Sequence, residues 1–398
     1  MRIVLGVGAG IAAYKACELL RLLTESGHSV RVIPTPDSLR FVGEATWAAL
    51  SGQSASSSAW EQVHEVPHVA LGQGTDLVFV APATADLMAR AAAGQSGDLL
   101  TAVLLTARCP VVFAPAMHTE MWEHPATVAN VATLRSRGVL VLDPASGRLT
   151  GADSGPGRLP EPAELLRVAA AVLARGAAGL ASDLAGRHVV VSAGGTREEL
   201  DPVRFLGNWS SGRQGYALAV TAAARGAAVT LVAANTALAD PPGARVVQVT
   251  SARQMRDAVL AAAPGADAVV MAAAVADYRP ETRSESKIKK TGTAPEPVRL
   301  VENPDILREL SLARSRPGQV LVGFGAETGD LLARGKAKLA AKGCDLLVVN
   351  QVGNGLAFGT SDNEALILAA DGTQTRVPRG PKEALADVIW DLVAGRLA

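Results

Sequence analysis

Ile3-Val4-Leu5-Gly6-Val7-Gly8-Ala9-Gly10, running on into Ile11-Ala12-Ala13-Tyr14-Lys15-Ala16, is the stretch that decides the fold. Ile3–Val7 is a continuous apolar run, the pattern of a strand covered on both faces. Behind the glycines, Ala12, Ala16, Leu19, Leu20 and Leu23 recur at helical spacing and share one face. Working outward, the same strand-then-helix unit returns at Val30–Ile33, Leu77–Ala81, Val111–Ala114 and Val139–Leu142. Repetition of this unit predicts a doubly wound, mainly parallel α/β sheet.

A helix over Pro162–Arg175 closes the first half, and the small, turn-prone residues after it place a boundary between 176 and 187. The expected domains are 1–178 and 187–398. The second repeats the alternation, with strands at His188–Val191, Val229–Ala233, Ala268–Ala273, Val320–Phe324 and Leu346–Asn350. Glu364–Ala370 and Thr375–Val377 flank Asp371-Gly372, a hairpin signal. Pro280–Arg299 is polar and proline-containing and reads as a long loop of the kind that covers active sites.

The bulk properties exclude several classes. The chain has 398 residues, 48% of them hydrophobic and 19% charged, enough for two packed cores. Lys+Arg and Asp+Glu are equal at 38 each, so nothing marks a nucleic-acid or anionic-membrane surface. No apolar stretch has the length of a membrane span. Cys17, Cys109 and Cys344 are scattered and odd in number, which points away from disulfides and towards a reducing compartment. With no signal peptide at Met1-Arg2-Ile3, a soluble cytoplasmic protein is expected.

Gly8-Ala9-Gly10, between strand and helix, lets backbone amides meet a phosphate without interference from a Cβ. A dinucleotide fingerprint fits only with Ala13 in the last position, and no acid follows the second strand at Pro34-Thr35. A mononucleotide or flavin phosphate is therefore favoured over a dinucleotide; a plain tight turn is the competing reading. A second glycine start, Ser192-Ala193-Gly194-Gly195-Thr196, suggests a second nucleotide site. His64-Glu65-Val66-Pro67-His68 imitates a zinc-protease motif, but Pro67 breaks the continuous helix that both imidazoles need. Zinc is rejected, and His68 taken by itself is an ordinary surface residue.

Several motifs in order change that reading. Gly10–Lys15, Ala81-Pro82-Ala83-Thr84-Ala85-Asp86, Pro115-Ala116-Met117, Met121-Trp122 and Gly155-Pro156-Gly157-Arg158 resemble the homo-oligomeric flavin-containing cysteine decarboxylases. Thr196-Arg197-Glu198, Asp201–Arg204, Asn208–Gly212, Ala273–Tyr278, Lys287–Lys290, Asn303–Ile306 and Gly323–Glu327 resemble phosphopantothenate–cysteine ligase. Both together, over nearly the whole chain, are similar to the bacterial bifunctional family of coenzyme A synthesis. The resemblance implies a flavodoxin-like flavoprotein domain followed by a Rossmann-like ligase domain.

For the first domain the resemblance implies decarboxylation of 4'-phosphopantothenoylcysteine with FMN. Direct loss of CO2 would leave an unstabilised carbanion; oxidising the thiol-bearing carbon first creates an electron sink, and flavin supplies that oxidation. His68 matches the family's catalytic histidine, a side chain suited to proton transfer. Gly8, Ala9, Gly10, Thr35, Ser38, Ala83, Thr84, Asp86 and Met117 fall at cofactor positions. Two departures stand out. His118 occupies the place of an asparagine, and Gly151, in Leu149–Asp153, that of the flap cysteine that protonates the intermediate. Thr150, Asp153 or water is left to act as donor.

For the second domain it implies joining 4'-phosphopantothenate to L-cysteine through an acyl-cytidylate made from CTP, with Mg2+. Lys287 matches the lysine that assists cytidylate formation, and Asn208 the residue that orients the intermediate for the cysteine amine. Arg204 matches a phosphopantothenate-binding position. Ala273, Ala274, Val275, Asp277, Asn303, Pro304, Asp305, Ile306, Phe324, Lys338 and Lys342 match nucleotide positions, the two lysines being spaced to share a helical face. The metal ligands are left unassigned. Trimeric decarboxylase units, dimeric ligase units and a dodecamer are the implied assembly. Two other readings compete: a working ligase with a flavin-binding but poorly decarboxylating module, and a nicotinamide-dependent oxidoreductase.

Overall fold

Apolar runs of the first half form one parallel sheet. The computed structural model describes residues 1–55, 67–149, 154–176, 182–289, 297–327, 330–351 and 362–397. Contacts between Cα atoms divide it into two units, Met1–Ala185 with Ala223–Gly226 and Asp240–Gly243, and the remainder.

The first unit runs β1 (Arg2–Val7), α1 (Ala13–Glu25), β2 (Ser29–Pro34), α2 (Glu44–Ser51), α3 (Pro67–Gly74), β3 (Leu77–Ala83), α4 (Ala85–Ala92) and α5 (Leu99–Thr106). It continues with β4 (Val111–Pro115), α6 (Thr119–Trp122), α7 (Pro125–Ser136), β5 (Leu140–Val141), β6 (Ala145–Arg148), β7 (Ser154–Arg158) and α8 (Pro162–Arg175). The sheet order is β2-β1-β3-β4-β5, the flavodoxin-like form of a doubly wound sheet. Val4, Val78, Val80 and Phe113 from the strands and Leu87, Leu100 and Val103 from the helices make its core. On α1 the buried stripe is Ala13, Ala16, Leu19, Leu20 and Leu23, so Ala13 takes the place expected of Ala12, which precedes the helix. β5 is shorter than the expected Val139–Leu142: it pairs only at Leu140 and Val141, and Pro144, with no N–H for a ladder, follows closely.

Local signals set the helix starts. The Thr84 hydroxyl accepts from the Leu87 amide at 3.2 Å to begin α4. Asp98 and Thr101 form a reciprocal capping box on α5.

The second unit runs β8 (His188–Gly194), β9 (Arg197–Glu199), β10 (Phe205–Gly207), α9 (Arg213–Ala224), β11 (Ala228–Ala234), β12 (Ala244–Val249), α10 (Ala252–Ala262), β13 (Ala268–Met271) and β14 (Tyr278–Pro280). It ends with β15 (Leu300–Glu302), α11 (Ile306–Leu312), β16 (Val320–Glu327), α12 (Leu331–Lys342), β17 (Leu346–Gln351), β18 (Asp362–Ala369), β19 (Gln374–Pro381) and α13 (Lys382–Leu397). The order is β12-β11-β8-β13-β16-β17-β18-β19. Its six parallel strands follow the dinucleotide-fold sequence, with the switch point between β8 and β13. β18 and β19 add antiparallel to the edge around Asp371-Gly372, longer than their apolar cores predict. Trp390 of α13 is fully buried, and its indole donates to the Leu218 carbonyl at 2.9 Å.

Two expectations need adjustment. Pro280–Arg299 is not loop to its very ends, because Pro280 pairs with Leu300 in the β14–β15 ribbon. The expected strand Ala268–Ala273 stops at Met271, after which Ala273 donates to the Ser192 hydroxyl at 3.1 Å. The glycines of the second start serve close approach: a Cβ on Gly194, at φ +84°, would collide with the Ala234 carbonyl oxygen. His64–Val66, Thr150–Asp153 and Lys290 lie outside the described residues. All three cysteines are free thiols; burial pushes Cys17 and Cys109 up and Cys344 to about 11, so none is a ready thiolate. Among the described residues no helix is long and apolar enough to cross a membrane.

Candidate functional site

In the first unit the candidate cofactor residues gather beyond the carboxyl ends of β1, β2, β3 and β4. Gly8 donates its amide to the Pro82 carbonyl at 3.0 Å, and a Cβ on Gly8 would stand 2.5 Å from that oxygen. Only glycine lets the β1 and β3 loops close this far. Ala9 and Gly10 follow, half-buried, and the Gly10 carbonyl accepts from Ala13 as α1 begins. Thr35 is fixed by its amide to the Val7 carbonyl at 2.9 Å, and the buried Ser38 hydroxyl returns to the Thr35 carbonyl at 2.7 Å. The Thr35 hydroxyl oxygen is buried and, among the described residues, has no hydrogen-bond partner. Such an atom leaves a hydrogen bond open to a ligand or a water.

Ala83 accepts from the Ala116 amide at 3.1 Å, which ties the β3 loop to the Pro115–Met117 segment. Met117 in turn donates to the Gly157 carbonyl at 2.9 Å, and the Thr119 hydroxyl to the Pro156 carbonyl at 2.8 Å. The β6–β7 flap is thereby rooted beside His118, which is exposed at the start of α6. Thr119 was not singled out from sequence; a hydroxyl beside the Met-His pair was the only cue. The carboxylate of Asp86 is engaged by Arg90 at 3.0 Å on its own helix. His68 stands apart. It lies in the first turn of α3, its carbonyl held by the Thr106 hydroxyl at 2.7 Å, and among the described residues no hydrogen bond joins it to these loops.

In the second unit the ligase candidates meet beyond β13 and β16. The Asn208 side-chain amide donates to the Val275 carbonyl at 3.1 Å. Ala274 donates to Gly194, and Ala276 to the Thr196 hydroxyl at 2.9 Å, so Ala273–Asp277 is a fixed strap over the switch point. Asn303 closes it from the other side: its side-chain amide donates to the Ala276 carbonyl at 2.9 Å and its backbone amide to that of Asp277 at 2.8 Å. After Pro304, Asp305 caps α11 through the Arg308 amide, and Ile306 is buried beneath. Lys342 reaches back to Asp305 at 2.5 Å. Lys338 lies along Gly325, next to Phe324, where a Cβ would meet its Nζ at 3.4 Å.

Lys287 is exposed, but its neighbour Ile288 is gripped twice. The Ile288 amide donates to Asp201 at 3.1 Å, and its carbonyl accepts from Arg204 at 2.6 Å. The Arg204 guanidinium, matched at sequence level to phosphopantothenate, is thus engaged within the protein. Asp201 was part of the Asp201–Arg204 motif, but no role was read for its carboxylate.

A flavodoxin-like unit with loops gathered beyond its strand ends, followed by a Rossmann-like unit with a strap over its switch point, defines a two-domain α/β protein of the doubly wound class. The Flavoprotein family model matches residues 1–174, and the DNA/pantothenate metabolism flavoprotein C-terminal domain model matches 184–397. The coenzyme A biosynthesis bifunctional protein CoaBC of Mycolicibacterium smegmatis is 58% identical over 406 residues, covering 100% of this chain and 98% of its own. CoaBC of Vibrio cholerae is 41% identical over 397 residues, covering 98% and 97%. The crystal structure of the C-terminal domain of a CoaBC protein is 34% identical and covers 55% of this chain and 98% of its own, with a TM-score of 0.47. The chain belongs to the family of coenzyme A biosynthesis bifunctional proteins. It is a bifunctional enzyme with a flavoprotein decarboxylase domain and a ligase domain.

Proposed function

We propose that residues 187–398 couple 4'-phosphopantothenate to L-cysteine at the expense of CTP, and that residues 1–178 decarboxylate the product with FMN, in the cytoplasm. The observation that carries the ligase half is the pairing of Asn208 with Val275 inside the Ala273–Asp277 strap, closed by Asn303. In this reading the strap, Asn303–Ile306, Phe324, Lys338 and Lys342 hold CTP. Lys287 brings its ammonium to the α-phosphate as the phosphopantothenate carboxylate attacks, stabilising the charge that develops there. Asn208 then orients the acyl-cytidylate towards the cysteine amine. Among the described residues no group of three His, Cys, Asp or Glu side chains could hold a metal. Mg2+ is therefore proposed as the companion of the CTP phosphates, with no protein ligand set assigned to it.

The cradle of Gly8, Ala9, Gly10, Thr35, Ser38, Ala83, Thr84 and Asp86 fits FMN: the buried Thr35 hydroxyl awaits a partner, and Gly8 allows close approach. When bound, FMN supplies the two-electron oxidation of the thiol-bearing carbon that permits loss of CO2. Met117 lines the cradle beside the flap root. His118 donates a hydrogen bond to the substrate carboxylate, in place of an amide. His68 moves a proton at the substrate thiol, reached across a subunit boundary in a homo-oligomer of trimeric decarboxylase and dimeric ligase units. Exposed Val203, Phe205, Trp209, Tyr278 and Leu300 around the ligase ribbons support self-association.

Lys287→Gln is the direct test. It is expected to stop pyrophosphate release from CTP and phosphopantothenate while leaving bound flavin intact. Loss of both together, or of neither, contradicts the assignment.

A further inference from the structure

Asp201 has no part in the reading above, yet its position is unusual. Its side chain is 0% exposed in the turn between β9 and β10, beside an Arg204 that is 49% exposed. One oxygen accepts the Val203 and Arg204 amides at 2.7 and 2.8 Å, the local bonds of an Asx-type turn. Those alone would account for a turn aspartate. The other oxygen instead accepts the Ile288 amide at 3.1 Å, from a distant part of the chain. Arg204 completes the contact, with its Nη2 donating to the Ile288 carbonyl at 2.6 Å and its Nε 3.5 Å from Asp201. One charged pair therefore holds both polar groups of the residue that follows Lys287.

Two further ties fix the segment before Lys287. The Ser284 amide donates to the Leu200 carbonyl at 2.9 Å, and Arg283 pairs with Glu199 at 2.5 Å. The Lys287 side chain itself is exposed. Where its ammonium goes is thus decided by the backbone on either side, and that backbone is decided by residues 199–204.

We propose that Asp201, together with Arg204, is a positioning residue for acyl-cytidylate formation, clamping the Ile288 peptide so that Lys287 is presented to the α-phosphate of CTP. The clamp rests on the reading of Lys287 given above. It replaces a freely moving lysine with one whose reach is preset, and preset geometry is what makes a single cation effective at a transition state. The clamp stays charged near neutrality: burial pushes the Asp201 carboxyl up, but the Val203, Ile288 and Arg204 amides outweigh this and hold it below its usual value.

Asp201→Asn separates this role from a structural one. An asparagine can keep an oxygen towards Val203 and Arg204, but it then turns an NH2 group towards the Ile288 N–H, donor against donor. The kcat for pyrophosphate release is expected to fall about tenfold or more while the KM for CTP moves less than about threefold. Bound flavin and the consumption of preformed acyl-cytidylate by cysteine should stay near wild type, with faster amide exchange at Ile288. A wild-type rate of pyrophosphate release overturns the proposal, and so does equal slowing of both half-reactions. If Asp201→Asn does not fold, Ile288→Pro removes the donor and leaves the buried turn whole. Slowed cytidylate formation there supports the clamp, and an unchanged rate overturns it. A wild-type enzyme that consumes no CTP overturns the Lys287 reading itself, and the clamp with it, an outcome distinct from failure of the variants.

Discussion

The Lys342 Nζ lies 2.5 Å from the Asp305 carboxylate, so the second of the two lysines on α12 is already neutralised within the protein. Lys338, one turn earlier, lies instead along the Gly325 backbone beside Phe324. Lys342→Ala should raise the KM for CTP by less than about threefold, because Asp305 already balances the charge it removes. Steady-state pyrophosphate release at varied CTP reads this, and a rise of about tenfold or more would show that Asp305 releases Lys342 when nucleotide binds.

Thr35→Val tests the cradle without relying on turnover. The hydroxyl is buried and unpartnered among the described residues, so its isosteric removal should leave the flavin-free protein as stable as before or about 1 kcal/mol more so. Flavin affinity should drop by about tenfold, the worth of one hydrogen bond. Fluorescence titration of the apoprotein with FMN, alongside thermal unfolding, separates the two quantities. Unchanged affinity would mean that the hydroxyl faces something else.

Gly8→Ala should be far more damaging than its chemistry suggests. Its Cβ would sit 2.5 Å from the Pro82 carbonyl oxygen and 3.3 Å from Thr84 Cγ2, forcing the β1 and β3 loops apart. At Gly10 a Cβ meets nothing within 4 Å. Gly8→Ala should therefore cost about 1–3 kcal/mol as well as the flavin, whereas Gly10→Ala leaves the stability of the apoprotein within about 0.5 kcal/mol. Denaturant unfolding of both apoproteins decides it.

Asp98 supplies a pH signature. Burial works against its charge, but the Thr101 amide, the Arg90 guanidinium at 2.7 Å and the Thr101 hydroxyl outweigh this, so its pKa lies below the ordinary 3.8. A depressed carboxylate contributes stability that is complete above 3.8 and is lost as pH falls through the folded value. Asp98→Asn should cost about 1–3 kcal/mol near neutrality, with the gap to wild type closing as the pH enters the carboxylate range. A gap independent of pH would mean that the charge is unimportant to the cap.

Much of this was legible in the residues. Buried parallel strands announce themselves as unbroken apolar runs, and the helix Pro162–Arg175 has both ends marked, by proline at the start and glycine after it. Strands whose identity depends on a partner were not legible: the exposed Tyr278 and Leu300 carry no local period, and only the ribbon that joins their segments makes them β-structure. At Gly194 the sequence marked a glycine start but not the carbonyl from β11 that a Cβ there would strike. Likewise, motif matching could place Arg204 and Lys287 in one site, but not show that Arg204 holds the peptide after Lys287. Contacts across more than eighty residues are written in the fold, not in the spacing.

The central claim is that both halves act in series on one substrate. Purified protein supplied with 4'-phosphopantothenate, L-cysteine, CTP and Mg2+ should release pyrophosphate and CO2 and yield 4'-phosphopantetheine, identified by its mass. Accumulation of 4'-phosphopantothenoylcysteine with no CO2, from protein that carries flavin, would contradict it.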